Sequence, residues 1–465
     1  MLILALGSYA YFEQGGGWNQ NTRFDLTRAL VERREASIDA YHSNTGDKAQ
    51  KDGHYYADKA PGVSVLGAPV FGLVRALSFA SESPSGEQLR TAAWVVTLAS
   101  VGVPSAVAAA ALPTVLGAAG VPMSWATLLS VGYAIGTPAF AYSTLLYGHQ
   151  LAAALLLLAL ALAQKCNSSA DPRRAAGVGA LLGAAVTVEY PCALLGLPIA
   201  VYAIREQRAR DARIAWGLLG ALPPLAALAA YHTVIFGGPL TTPYAFSTQP
   251  HRAMGLVMGL GFPTSEAIHE LSIGPYRGLL RAAPWLALGV FGAFRGLRRT
   301  GTRALTTLSI TVAGTAFVLA ASLVDWPGGW GVAPRHLVPA IPFVVILGAM
   351  GIEELGRRPA TLVIALVLFS IIANLALTSV NPEVELGVTQ PWSEVIWPGF
   401  SSGRLAQSTQ SIVDHLPRPY GPAAASNFGQ ALGLEGLLSL APLLSFWCAC
   451  AFFLRRGFDG ARRGV

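Results

Sequence analysis

Charge is what this chain has least of. Only 12% of its 465 residues are Asp, Glu, Lys or Arg, about half the roughly 25% of an average soluble protein. Hydrophobic residues make up 53%. So few charges do not clothe a water-facing surface of this size, which excludes a soluble multidomain protein as well as disordered and collagenous classes. Cysteine is nearly absent too. Cys192, Cys448 and Cys450 sit in apolar runs and Cys166 stands alone in a short polar stretch, so no disulfide or zinc framework is visible. Lysine is the rarest cation, at four of the 32 basic residues. What remains is the composition of an all-α polytopic membrane protein.

A spanning helix needs about 20 apolar residues. Runs of this kind cover roughly 61–80, 91–111, 122–140, 142–164, 214–236, 279–294, 304–324, 337–352, 360–380 and 432–454. Residues 175–204 are apolar for too long to be one helix. Glu189-Tyr190-Pro191 interrupts them, as a kinked span or a re-entrant pair would require. Leu2 to Phe12 reaches only about 17 Å and lacks the basic region of a signal peptide, so we read it as the outer half of a first span that begins upstream. About 12 transmembrane helices are expected within a single membrane domain, 1–465.

Arginine clusters at 205–213, 295–303, 357–358 and 455–463 mark cytoplasmic loops, so the net charge of +7 reads as topology; a basic nucleic-acid face is the rival reading that this regular alternation disfavours. The segments 13–60, 237–278, 325–336 and 381–430 then lie outside. Three of them run to about 40–50 residues, a length uncommon in loops without function. No repeat or inverted repeat is evident, which weighs against a secondary transporter.

The first outer loop is where chemistry concentrates. Asp25, Asp39, Asp47, Asp52 and Asp58 are five of the ten aspartates, and Lys48, Lys51 and Lys59 three of the four lysines. The run from Asp52 through His54, Tyr55 and Tyr56 to Asp58-Lys59-Ala60-Pro61-Gly62 brings carboxylates, imidazole, phenols and an ammonium to the mouth of a span. Charge in such a place marks a water-filled site, although a merely solvated loop also explains some of the clustering. Upstream, Phe24, Leu26, Ala29, Leu30 and Val31 give a short amphipathic helix expected to rest on the membrane interface, with Asn21 and Asp25 on one face. Gly15-Gly16-Gly17 before it reads as a flexible exit from the membrane. Glu189 must be paired, protonated or at a cavity. His149 and His232 read as packed core or interface histidines. Trp18, Trp326, Trp330, Trp392 and Trp397 read as an aromatic belt.

This arrangement resembles the lipid-carrier-dependent GT-C glycosyltransferases, in particular the family 39-like branch of protein O-mannosyltransferases and aminoarabinose transferases. Lys59-Ala60-Pro61-Gly62 is similar to part of the motif that closes that family's first loop, whose lysine lies near the donor's phosphate. The stretch from Trp326-Pro327-Gly328-Gly329-Trp330 to Pro334-Arg335-His336-Leu337 and Phe236-Gly237-Gly238-Pro239-Leu240-Thr241-Thr242-Pro243-Tyr244 are similar to motifs of bacterial members. The family's opening Asp-Glu pair falls on Asn19-Gln20, which have no basic carboxylate.

The resemblance implies a GT-C fold with long extracytoplasmic loops, in a bacterial cytoplasmic membrane, and transfer of a hexosyl or pentosyl group from a polyprenyl-phosphate donor to an extracytoplasmic acceptor: protein, lipid or glycan. Lys59 and Arg335 would neutralise the donor phosphate. With Asn19 and Gln20 unable to act as bases, Asp25 and Asp58 are equal candidates for the carboxylate that accepts the acceptor's proton. Asn19, Asn21, Asp52, His54 and Tyr55, with Tyr244 and His336, are candidates for holding substrate. No cofactor is implied: the spacing of His42, His54 and the aspartates matches no metal motif, and a divalent cation there stays open as an alternative. Rival readings are a transporter or flippase for a lipid-linked or small polar substrate, and a carrier-binding protein without catalysis.

Overall fold

The computed structural model describes residues 1–78, 84–168, 171–205, 210–252, 254, 258–413 and 424–463. It is mostly helical. Six helices are long and apolar enough to cross a membrane: Gly86–Gly117, Gly148–Asn167, Arg210–Phe236, Thr300–Ala321, Arg357–Val380 and Gly436–Arg455. Shorter apolar helices are Gly62–Ser78, Met123–Ile135, Arg174–Val188, Cys192–Ala203 and Arg335–Ala349. The chain is a multi-pass membrane protein. The Arg210–Phe236 helix makes the point most clearly: among its described residues only Arg213, Leu228, His232 and Phe236 are buried, and a surface so apolar is stable against lipid, not water.

The core is built from Ala, Leu, Val and aromatic side chains of the helices around Gly148–Asn167. Small residues let neighbouring helices approach, as membrane helices require when packing rather than the hydrophobic effect holds them together. Gly179 lies so near the backbone of Gly217 that a Cβ there would meet the Gly217 carbonyl oxygen. Polar side chains then tie helices through backbone carbonyls: Asn374 Nδ2 donates to Ala282 O at 2.8 Å and Trp285 Nε1 to Gly136 O at 3.1 Å.

The long apolar stretch 175–204 breaks where the sequence places the break. The Arg174–Val188 helix ends in an extended Glu189, Tyr190 precedes a proline that disfavours helical geometry before it, and the chain restarts at Cys192.

Four segments gather at one end of the bundle. The hairpin of β2 (Lys48–Lys51) and β3 (His54–Ala57) turns through Asp52 and Gly53, both with positive φ, and Ala49 bridges Ser247. Gly331 bridges Glu383, reinforced by Val332 N to Pro382 O at 3.0 Å and Val384 N to Trp330 O at 2.7 Å. The chain's first and last parts meet in β1 (Phe12–Glu13), which pairs antiparallel with β4 (Ser426–Asn427).

Two local expectations are corrected. The helix Trp18–Arg28 does not rest on the membrane interface, since all residues from Asn19 to Thr27 are buried within the protein. Its polar side chains therefore need partners inside, and they find them: Asn21 Nδ2 donates to Asn44 O and Ser411 O at 2.9 and 3.1 Å. Nor is the triple glycine a loose exit. Its three residues are buried and packed against Ser408, Gln410, Ser411 and Glu383.

Candidate active site

Two cavities lie where these segments meet, and both are lined by Asn19 and Arg335. The first, about 230 Å³, has an apolar wall that includes Leu194, Leu195, Leu319 and Leu323, and a polar end of Lys59, His149, Glu189, Tyr244 and His336. The second, about 480 Å³, is lined by Trp18, Asp47, Tyr147, Gln249, Asp325, Trp330, Glu383 and Glu385, among others. Apolar side chains predominate in the first, and more carboxylates line the second.

Lys59 sits at the end of the hairpin, 4% exposed, with its Nζ 2.8 Å from Asp58 and 3.0 Å from Asp47. Arg335 opens the 3-10 turn that leads into its span. It is buried, its guanidinium lies 5.6 Å above the Tyr147 ring, and its Nε has no hydrogen-bond partner among the described residues. Its side chain lines both cavities, and a buried arginine in that place suits an anion. The loop before it, with Gly328 and Gly329 at positive φ, is clamped by Arg277, which donates to Pro327 O and Gly329 O at 3.1 and 2.8 Å.

Behind the first cavity, Arg23 binds Asn19 through Nη1 and Glu189 through Nη2 at 2.9 Å. Glu189 is thus both paired and at a cavity. His149 stands 3.5 Å from Glu189 and packs edge-on to His336. It lines the cavity, whereas His232 is satisfied by Tyr190 and the Pro239 carbonyl.

Glu383 is the second cavity's most enclosed carboxylate, 7% exposed. Tyr147 OH donates to its Oε1 at 2.6 Å and Gln20 Nε2 to its Oε2 at 2.8 Å. Burial pushes its carboxyl up to about 7, against the lowering effect of those two donors and of Arg335.

The structure brings Asn19, Lys59, Tyr244, Arg335 and His336 to the cavities. It leaves the others away from both. Asp25 is fully buried, bound by Asn44 Nδ2 at 3.2 Å, and burial raises its carboxyl well above the usual range. Asp58 is equally buried against Lys59. Asn21 is spent on backbone carbonyls. Asp52 is exposed at the hairpin tip, His54 pairs with Asp39 at 2.6 Å on the surface, and Tyr55 stacks on His42. Of the tryptophans expected in an aromatic belt, Trp392 is buried, and Trp18 and Trp330 line the second cavity. Among the described residues no group of three His, Cys, Asp or Glu is placed to hold a metal ion. Glu383, Asp47, Tyr147 and Arg277 were not singled out as site residues from the sequence. For Glu383 and Arg277 only a charged residue in an outer segment signalled it.

No protein-family model and no curated protein matches the chain. Among solved structures it is similar to ArnT from Cupriavidus metallidurans in the apo state, at 15% identity over 78% of this chain and 60% of that one, with a TM-score of 0.47. The same protein bound to undecaprenyl phosphate gives 14%, 81%, 69% and 0.47. The archaeal oligosaccharyltransferase AglB from Archaeoglobus fulgidus, in complex with an inhibitory peptide and a dolichol-phosphate, gives 11%, 90%, 59% and 0.48. The chain spans 60% of the length of apo ArnT. Overlap of this kind leaves the chemistry to the cavities themselves.

Proposed function

We propose that this protein is an integral membrane glycosyltransferase that moves a sugar from a polyprenyl-phosphate donor to an acceptor on the extracytoplasmic side of a bacterial cytoplasmic membrane. The observation that carries the reading is the pair of cavities that share Asn19 and Arg335 in their linings, one walled largely by leucines and the other by carboxylates and tryptophans. A lipid-linked sugar has an apolar tail, an anionic phosphate and a polar sugar, in that order. Threaded through the first cavity, it sets its phosphate between Lys59 and Arg335 and its sugar toward the second.

Chemically, the transfer needs a cationic seat for the leaving phosphate, a base for the acceptor hydroxyl, and exclusion of competing water. Arg335 supplies a planar donor and Lys59 a point charge. Asp47 and Asp58 hold the ammonium in place. In this reading Asp58 and Asp25, both enclosed, act by shaping the polar layer under the site. Tyr244 and His336, at the polar end of the first cavity, border the phosphate and its link to the sugar. Counting Arg174–Val188 and Cys192–Ala203 as separate crossings because Glu189 between them lies at the outer site, leaving Gly62–Ser78 outside beside the helix Trp18–Arg28, and adding Leu2–Ala10 and the segment 279–298, the apolar helices make about 12 crossings, with 13–60, 237–278, 325–336 and 381–430 outside.

The test is turnover. Purified protein in lipid nanodiscs should release polyprenyl phosphate from a polyprenyl-phosphate sugar when given an acceptor extract, and Arg335→Lys should raise the donor KM. Passage of the intact carrier across proteoliposomes with no release of its sugar would establish the transporter reading instead.

A further inference from the structure

We propose that Glu383 is the catalytic residue that takes the proton from the acceptor hydroxyl. This rests on the glycosyltransferase reading and adds to it the group that activates the acceptor. The two positions where the resemblance puts carboxylates hold Asn19 and Gln20, and Gln20 is not idle: its Nε2 donates to Glu383 Oε2 across 363 residues of sequence. The carboxylate comes to the site from the far end of the chain.

Its rivals are engaged elsewhere. Asp47 and Asp58 face Lys59, Glu189 faces Arg23, and Asp25 lines neither cavity. Glu385 is exposed and Asp325 lies 3.9 Å from His251. Glu383 alone among these is enclosed at the cavity wall with neutral donors, one on each oxygen, and among the described residues no cation stands within ion-pair distance of it. One donor per oxygen leaves acceptor capacity on both for an incoming hydroxyl. Its backbone is fixed by the bridge to Gly331, four residues before Arg335. Tyr147 couples the two ends of the reaction, with its hydroxyl on Glu383 and its ring under Arg335. A carboxyl lifted to about 7 takes up and gives off protons near neutral pH, which suits a base.

The step balances without a co-reactant. The acceptor's O–H proton passes to Glu383, and its oxygen forms a bond to the sugar's anomeric carbon. The bond from that carbon to the phosphate oxygen breaks, and its electron pair leaves on polyprenyl phosphate beside Arg335 and Lys59. Glu383 then returns its proton to water through the open cavity.

The experiment compares wild type, Glu383→Gln, Glu383→Asp and Tyr147→Phe as full-length protein in nanodiscs, with a polyprenyl-phosphate sugar and acceptor extract. Glu383→Gln should lower kcat by about 10² to 10⁴ fold with the donor Kd within about threefold, and Glu383→Asp should recover part of the rate. The wild-type rate should rise through a limb near pH 7. Tyr147→Phe, which removes a donor to the charged form, should move that limb to higher pH, a readout that a purely structural role would not produce. A Glu383→Gln enzyme with wild-type kcat, or a limb unmoved in Tyr147→Phe, overturns the assignment while leaving the glycosyltransferase reading intact. Absence of sugar transfer by the wild type overturns both.

Discussion

Gly17 and Glu383 occupy one space between them. A Cβ on Gly17 would stand 2.8 Å from one carboxylate oxygen of Glu383 and 2.9 Å from the other. The backbone at Gly17 is extended, with φ 174°, so any residue could adopt it and the constraint is steric alone. The glycine lets the first helix of the outer loop press against a carboxylate that the last third of the chain delivers.

Gly17→Ala should therefore displace Glu383 without straining the backbone. Overpacking of this kind costs about 1–3 kcal/mol. We expect a lower unfolding midpoint and at least about a tenfold loss of sugar transfer, with donor affinity nearly kept. Full activity at an unchanged midpoint would mean that the carboxylate has room to move aside.

Glu383 should also make stability depend on pH. Its folded value of about 7 lies above the ordinary 4.5. The contribution is fully present below pH 4.5 and is lost as pH rises through 7, about 3 kcal/mol in all. Asp25 is shifted in the same direction, so the informative quantity is the wild-type stability minus that of Glu383→Gln. That difference should fall between pH 4.5 and about 8 and then level off. A flat difference across this range would place Glu383 in contact with water.

The two cations call for different substitutions. Lys59→Ala leaves Asp47 and Asp58 facing each other with no ammonium, and losing one partner of a buried ion pair costs about 3–5 kcal/mol. Lys59→Ala with Asp58→Asn should restore much of the folding while leaving donor binding weak. Arg335→Lys keeps the charge and loses the planar donor set. It should weaken donor binding about tenfold with little change in unfolding. Isothermal titration with a polyprenyl phosphate checks both, and unchanged affinity would leave these residues as structural cations.

The buried Arg23–Glu189 pair gives a prediction independent of turnover. Arg23→Met should destabilise by about 3–5 kcal/mol because it takes the guanidinium from a buried ion pair and from Asn19, and adding Glu189→Gln should recover most of the loss. Thermal unfolding of the three proteins measures it, and additive losses would show that the pair is not a unit.

Orientation is open to labelling. Ser43 and Ser401 are both exposed, and in a background with Cys448 and Cys450 replaced, cysteines at these positions should react with an impermeant maleimide from outside the cell. Reaction from the cytoplasm alone would reverse the proposed topology and the site with it.

Some of this architecture can be read from residues in order. The apolar runs and the break at Glu189-Tyr190-Pro191 follow from length, hydropathy and the restriction before proline, all local properties. Lys59 and Arg335 could be singled out because a cation at the edge of an apolar run has few reasons to be there. The helix Trp18–Arg28 misled because its polar residues imply water, when in fact they meet carbonyls of Asn44 and Ser411. The partner of Gln20 was invisible for the same reason. A contact 363 residues away leaves no periodicity, and Glu383 looks in sequence like any other acidic loop residue. Local patterns report what a residue is, and only the fold reports whom it meets.

The pairing of Phe12–Glu13 with Ser426–Asn427 carries a consequence for biosynthesis. As the chain leaves the ribosome, the first strand waits for its mate until more than four hundred residues have been made, and Gln20 waits nearly as long for Glu383. Each helix can insert in turn, but the outer vestibule stays open until translation has all but finished. A nascent chain stalled before residue 383 already carries Lys59 and Arg335 and lacks the wall that faces them, so under the proposed function the seat for the phosphate would form before the carboxylate that completes the site.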